Sequence, residues 1–160
     1  MLWKYLFVFA LSMVPVVELR GAIPMGLYMY DLPIIPVAVL SILGNLLPVP
    51  FLVLFGGKVL HWLAGYEKFG RPFRKILEIG EKKVQKMNKN AKRALFWGLF
   101  AFVAVPLPGT GAWTGALISI TLGLDLKKSM PPIALGVLGA GTIIVSLFYF
   151  APEAFKMLVG

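Results

Sequence analysis

Long hydrophobic runs dominate this chain, and the polar positions that interrupt them set its plan. Residues 2–30 are almost wholly apolar. Residues 2–14 form a first arm, too short to cross a bilayer comfortably: thirteen helical residues reach about 20 Å, against about 30 Å of hydrocarbon. Pro15 follows, and then Val17-Glu18-Leu19-Arg20-Gly21-Ala22-Ile23-Pro24. Here a carboxylate and a guanidinium lie two residues apart, among prolines and a glycine that break helices or let the backbone turn. Residues 21–30 make a second short arm, closed by Asp31-Leu32-Pro33. Two short arms about a break predict a helical hairpin that dips into a membrane and returns. Irregular backbone at that depth is tolerated only where it is buried in protein or lines a cavity.

Residues 34–57 are long enough to span. Gly44, Asn45, Pro48 and Pro50 near the middle predict a broken helix with an amide close to the bilayer centre. Trp62 and Tyr66 suit the membrane interface. A strongly basic stretch comes next, and then residues 94–105, again a short apolar arm. It ends in Pro106-Leu107-Pro108-Gly109-Thr110-Gly111, and residues 112–124 return. Asp125 opens a polar turn. Residues 131–151 span, with Gly136 and Ala140 as a small-xxx-small face for close helix packing, and Pro152-Glu153 ends the run.

The two halves share one plan: short arm, break, short arm, polar turn beginning at Asp, proline, full span. Gly21-Ala22 aligns with Gly111-Ala112, and Leu27 then falls on Leu117. The expected fold is an all-α integral membrane protein. It is an inverted repeat of a re-entrant helical hairpin plus a transmembrane helix, joined by a basic cytoplasmic amphipathic helix. The boundaries are 1–57 for the first half, 58–93 for the connector and 94–160 for the second half. Inverted repeats whose broken helices meet at the midplane are a transporter design.

Composition agrees with one membrane domain: of 160 residues 59% are hydrophobic and only 14% charged, more apolar surface than a soluble domain of this size hides. The lack of cysteine excludes disulfides and thiolate metal sites. His61, the only histidine, reads as an interface residue beside Trp62, so no metal site is expected. No Walker loop, nucleophile elbow or paired-histidine motif is present; neither an enzyme, a cofactor nor an ATP-driven pump contained in this chain is expected. The N-terminal run after Lys4 reads as part of the membrane domain, since no small-residue cleavage site follows it.

Charge is concentrated. Residues 58–93 carry eleven Lys and Arg against three Glu, a net +8 of the chain's +9. The positive-inside rule explains this better than nucleic acid does. It places residues 58–93 in the cytoplasm and both termini outside, in the cell membrane; Lys127 and Lys128 then also fall inside. Leu77, Gly80, Val84, Met87, Ala91 and Leu95 recur at helical spacing and predict a basic amphipathic helix near anionic headgroups.

The chemistry follows from the breaks. Charged groups in hydrocarbon cost several kcal/mol and face a bundle interior or a wet cavity. Each returning arm starts at a break, so its free N–H groups and positive dipole end point to the membrane centre, with Thr110 as the expected N-cap of the second. Two helix N-termini together with Arg20 predict a site for an anion, a phosphate or a carboxylate. The candidate residues are Glu18, Arg20, Gly21, Asn45, Pro106, Pro108, Gly109, Thr110 and Gly111. Burial and Arg20 pull on the Glu18 proton in opposite senses, which makes Glu18 the candidate for proton coupling. The alternative is a structural Glu18–Arg20 pair that holds the hairpin tip. Asn45 either lines the site or satisfies freed backbone groups, and Trp113 reads as packing.

Val17–Pro24, V-E-L-R-G-A-I-P, together with P-L-P-G-T-G-A-W-T-G-A at Pro106–Ala116, resembles the small multidrug export protein family, which is similar at a distance to the DedA and VTT membrane proteins. The resemblance covers most of the chain. It implies two re-entrant hairpins facing each other, each followed by a transmembrane helix. It also implies transport, with polar-lipid translocation and proton-dependent activity in the wider group. The DedA pattern has an acidic residue after its P-x-P-G; here Thr110 stands in that place, and the arginine-rich second motif is missing. Three functions compete. The first is a secondary transporter of a polar or anionic substrate such as a lipid phosphate headgroup. The second is a multidrug efflux protein, and the third a non-transporting membrane scaffold. The expected partners are membrane lipid, protons and a second copy of the chain. Two long spans in one copy are few to shield two polar hairpin tips, since unpaired backbone in lipid costs several kcal/mol per group.

Overall fold

Proline placement decides where the helices stop. α1 (Leu2–Ser12) ends three residues before Pro15, whose ring and missing N–H disrupt the preceding turn. Residues 13–17 form a tight turn in which the Glu18 and Val17 N–H groups both reach the Val14 carbonyl. α2 (Glu18–Tyr28) then starts earlier than the expected 21. Gly21 and Pro24 lie inside it. Pro24 removes only the bond that the Arg20 carbonyl would have accepted, and the helix continues. The break therefore precedes the Glu18–Arg20 pair instead of containing it.

The computed structural model describes residues 1–65, 70–107, 109–151 and 153. Tyr66, Glu67, Lys68, Pro108 and Pro152, and the side chain of Leu77, all invoked above, lie outside what it describes. The remaining helices are α3 (Ile34–Leu46), α4 (Pro48–Ala64), α5 (Gly70–Gln85), α6 (Lys89–Ala104), α7 (Ala112–Thr121) and α8 (Leu126–Phe150). Among the described residues the fold is all-helical.

Among the described residues two helices are long and apolar enough to cross a membrane: the joined α3–α4 helix, Ile34–Ala64, of 31 residues, and α8, Leu126–Phe150, of 25. The first corrects the expectation of a broken span at 34–57. Leu47 keeps α-helical angles (φ −59°, ψ −43°), so Pro48 enters a continuing helix, and the helix runs on to Ala64. Gly44 serves packing instead of a break: a Cβ there would overlap the Ser12 hydroxyl and the Phe9 carbonyl of α1. α8 likewise begins at Leu126, with Pro131 and Pro132 inside it. Its N-cap is Asp125, whose carboxylate accepts from the Lys128 N–H at 2.9 Å. The Lys128 ammonium, hydrogen-bonded to the same carboxylate at 2.8 Å, holds the Asp125 carboxyl below the usual range.

The basic connector is also shorter than expected. α5 ends at Gln85 because Asn88 starts a new helix. Asn88 is extended (φ −72°, ψ 174°) and its side chain accepts from the Ala91 N–H at 2.8 Å, an N-cap of a preferred type. Ala91 and Leu95 therefore belong to α6, not to one amphipathic helix with Val84. The described lysines and arginines of 71–93 are exposed.

Each of two helix pairs packs on the helix that follows it, α1 and α2 on α3, and α6 and α7 on α8; α6, of 16 residues, is longer than the expected arm 94–105 because it starts at Lys89. The first pair is a hairpin: Trp3 and Phe7, near the start of α1, stack edge-on against Tyr30 after the end of α2. The halves then join through α4 against α7 and α3 and α2 against α8. The shared core runs through Leu19, Ile23, Val37, Val103, Ile133 and Val137. Gly136 is where α6 comes closest: its Cβ position lies 2.6 Å from Val103 Cβ and 3.0 Å from the Phe100 carbonyl. The small-residue face of α8 is thus used within the chain. Large apolar side chains such as Leu2, Ile35, Phe51, Phe55 and Phe150 remain exposed, as they do on a surface that meets lipid.

Candidate functional site

The tips of the two hairpins meet, and the Glu18–Arg20 pair clasps the break of the second. Pro106 prepares one side. A residue before proline is driven out of helical geometry, and Val105 is extended (φ −69°, ψ 122°). The last carbonyls of α6, left without helical donors, become acceptors. Arg20 fills this role. Its Nη2 donates to the Val103 carbonyl at 3.1 Å, to the Val105 carbonyl at 2.9 Å and to Thr110 Oγ1 at 3.1 Å, while Nη1 donates to Glu18 Oε2 at 3.1 Å.

Glu18 caps the other side. Its Oε1 accepts from the Trp113 N–H, in the first turn of α7, at 3.2 Å. A cation therefore sits on the C-terminus of α6 and an anion on the N-terminus of α7, each charge matched to the dipole end it meets. Gly111 leaves room for this. It has φ 151°, and a Cβ there would overlap Glu18 Oε2 and stand 2.6 Å from Arg20 Nη1. Glu18 itself has φ +50°, a left-handed conformation that costs an ordinary residue about 1–2 kcal/mol and is maintained by its surroundings. Its side chain is buried, the whole residue being 4% exposed.

The candidate residues divide as follows. Glu18, Arg20, Gly111 and Thr110 come together. Thr110 is not the N-cap of α7, as the sequence suggested: Gly111 holds the cap position. The Thr110 hydroxyl instead turns back toward the Val105 and Leu107 carbonyls at 2.7 and 2.9 Å. Pro106 acts through Val105. Gly109, with φ 81° and open space around it, makes the turn. Gly21 lies within α2, against the Val17 side chain. Pro108 falls outside the described residues. Asn45 is 1% exposed and faces the Glu18 carboxylate, yet neither amide atom makes a hydrogen bond of standard geometry, and Arg20 Nε and Ser41 Oγ are buried without partners too. Buried polar atoms in this state are commonly bridged by water. A cavity of about 50 Å³ beside Arg20, lined also by Pro15, Glu18, Thr110 and Thr114, has room for it at Arg20; Asn45 and Ser41 are not among its lining residues.

Sequence reasoning missed Trp113 as an anchor: besides its N–H to Glu18, its indole donates to the Met13 carbonyl at 3.0 Å, pinning α7 to the turn after α1. It also missed the Val103 and Val105 carbonyls. The P-x-P after an apolar arm was the signal for the latter; nothing local marks the former. The expected pair of helix N-termini open to an anion is corrected as well, because the α7 N-terminus is occupied by the chain's own carboxylate.

Among the described residues, two span-length apolar helices, shorter helices packed on them and a buried charged clasp point to an all-helical membrane protein. The chain belongs to the family described as "Putative small multi-drug export protein", which matches residues 18–143 and so begins at Glu18 itself. That membership suggests a transport or export role. No curated protein and no solved structure matches the chain.

Proposed function

We propose that this chain is a secondary, proton-coupled membrane transporter of a polar or anionic substrate, a lipid phosphate headgroup or a comparable anion. The observation that carries the reading is the placement of the Glu18 carboxylate: it occupies a helix N-terminus and an arginine, the two groups that would bind a substrate anion. In this reading the carboxylate is a built-in competitor. When Glu18 takes up a proton it releases Arg20 and the Trp113 N–H, and the substrate anion takes its place. When the anion leaves, Glu18 returns its proton and closes the clasp. The groups facing Glu18 are Arg20 from its own helix, Asn45 from α3 and the first turn of α7. Transport of a monoanion with one proton is then electroneutral.

The wider frame belongs to the same reading. α1, α2 and α7, of 11, 11 and 10 residues, reach about 15–17 Å each, half of the hydrocarbon, which favours re-entrant hairpins, while α6, of 16 residues, starts in the basic connector and reaches about 24 Å. The shared order of hairpin and long helix favours an inverted repeat and the DedA and VTT likeness, although aligned Leu27 and Leu117 differ, at 8% and 54% exposed. A two-fold dimer would cover part of the exposed apolar surface around Phe51 and Phe55. Both termini lie outside and residues 58–93 in the cytoplasm. Accordingly, single cysteines from Lys82→Cys and Glu153→Cys should label from opposite sides of the membrane; labelling from one side would end the inverted arrangement.

The family description favours a second reading, efflux of small molecules. For hydrophobic cations it needs a free carboxylate, and Glu18 is already paired. The test is transport into liposomes of labelled anionic phospholipid and of small organic anions and cations, as a function of pH. Glu18→Gln imitates the protonated acid, which in this reading lets go of Arg20 and the Trp113 N–H, so substrate should still bind while the pH dependence of transport disappears. An unchanged pH profile would return the Glu18–Arg20 pair to a purely structural role.

A further inference from the structure

A second site lies at the basic end of the molecule, far from the clasp. The start of α6, the start of α8 and the end of α5 enclose a cavity of about 440 Å³, within the range of small-molecule sites. Its floor is apolar, from Leu95, Phe96, Leu99, Leu124, Pro131 and Pro132, and Lys92, Lys127 and Lys128 line it as well. Lys128 is engaged by Asp125. Lys92 and Lys127 have no ion-pair partner among the described residues. The N-termini of α6 and α8 are already capped by Asn88 and by the Asp125 carboxylate, so the positive charge of the cavity comes from its lysines. Gly80 fixes the third wall: a Cβ there would overlap the Thr121 carbonyl, so α5 rests on the end of α7 and brings Val84 and Gln85 over the cavity. From Lys92 to Val103 is eleven residues of α6, about 16 Å, so the cavity and the clasp are distinct.

We propose that this cavity binds an anionic phospholipid, its phosphate between Lys92 and Lys127 and the upper part of an acyl chain on the Phe96–Leu99 floor. The cavity combines what such a molecule presents: an anionic phosphate whose oxygens two cations can meet, and directly beside it a chain that needs a dry surface. A free phosphate matches only the lysines, and a neutral lipid only the floor. The site opens at the beginning of a span-length helix, where headgroups lie. It stands independently of the transport reading, because it uses neither Glu18 nor Arg20.

Full-length protein in a neutral detergent can be titrated with dioctanoyl phosphatidylglycerol and binding read by native mass spectrometry, with dioctanoyl phosphatidylcholine and inorganic phosphate as comparisons. Phosphatidylglycerol should bind, and the other two much more weakly. A lysine near an anionic headgroup contributes about five-fold in affinity, so the pair Lys92→Gln and Lys127→Gln should weaken binding about 25-fold. Lys92→Arg with Lys127→Arg should retain it. Removing two exposed lysines of α5 by Lys82→Gln and Lys83→Gln should change it less than two-fold. Equal loss in that control would replace the site by diffuse attraction. Equal binding of phosphatidylcholine would remove the role of the lysines, and equal binding of inorganic phosphate that of the floor; either result overturns the proposal, as does an unchanged affinity in the Lys92/Lys127 variant.

Discussion

Gly111→Ala should destabilise the protein by about 3–5 kcal/mol, in the upper range for single substitutions. Two effects add. The glycine adopts φ 151° and ψ −172°, a region essentially closed to other residues and costing about 1–3 kcal/mol to occupy. Its Cβ would also overlap Glu18 Oε2, so the carboxylate must leave the α7 N-terminus; a lost cap costs about 1 kcal/mol, and the disturbed ion pair adds to it. Two nearby glycines serve as internal standards. Gly109→Ala faces open space and bears only the φ of 81°, a cost of about 1–2 kcal/mol. Gly98→Ala meets nothing within 4 Å in the interior of α6, where alanine is favoured by about 0.5–1 kcal/mol. Unfolding by denaturing detergent, followed by tryptophan fluorescence, should therefore rank the three variants 111, 109, 98 from most to least damaging. Equal effects at 111 and 109 would show that the Glu18 contact adds nothing.

Arg20→Gln and Glu18→Gln should each cost about 3 kcal/mol or more, because removing one partner leaves a buried charge uncompensated. Arg20 hydrogen-bonds α2 to the end of α6 and the turn after it, at Val103, Val105 and Thr110, so its loss also frees that end. Glu18→Gln leaves those links in place but strands a guanidinium that cannot shed its proton. The double variant should cost less than the sum of the two by about 1–3 kcal/mol, the usual coupling of groups in direct contact. A double-mutant cycle in the same unfolding assay measures that difference. Additive costs would mean that Glu18 and Arg20 act on their helix ends separately and that the 3.1 Å contact between them contributes nothing.

Several features were legible in order along the chain. Glu18 and Arg20 stood out as charges in an apolar run, and Pro15 and Pro106 marked where helices end. Asn88 was legible as well, since asparagine is a preferred N-cap, but the apolar spacing that runs on from Val84 to Leu95 concealed it. Prolines misled in the other direction. Pro24, Pro48, Pro131 and Pro132 all sit in continuing helix, because each removes one donor from a helix whose neighbours already hold it in place. Gly44 suggested a break and is instead a close approach to α1, whereas Gly136 suggested close helix packing and meets α6.

The sequence by itself determined the kind of solvent this chain needs, the two span-length helices, the short arms and the isolation of one carboxylate and one guanidinium among them, because each follows from the composition of a contiguous stretch. What those two charges do was decided by tertiary structure. Glu18 meets the N–H of Trp113 across 95 positions of chain and Arg20 meets the Val105 carbonyl across 85. The partners are backbone groups, which every residue carries, and they become available only because a helix ends there and the packing of α2 against the second half brings that end within 3 Å or so of a matching charge.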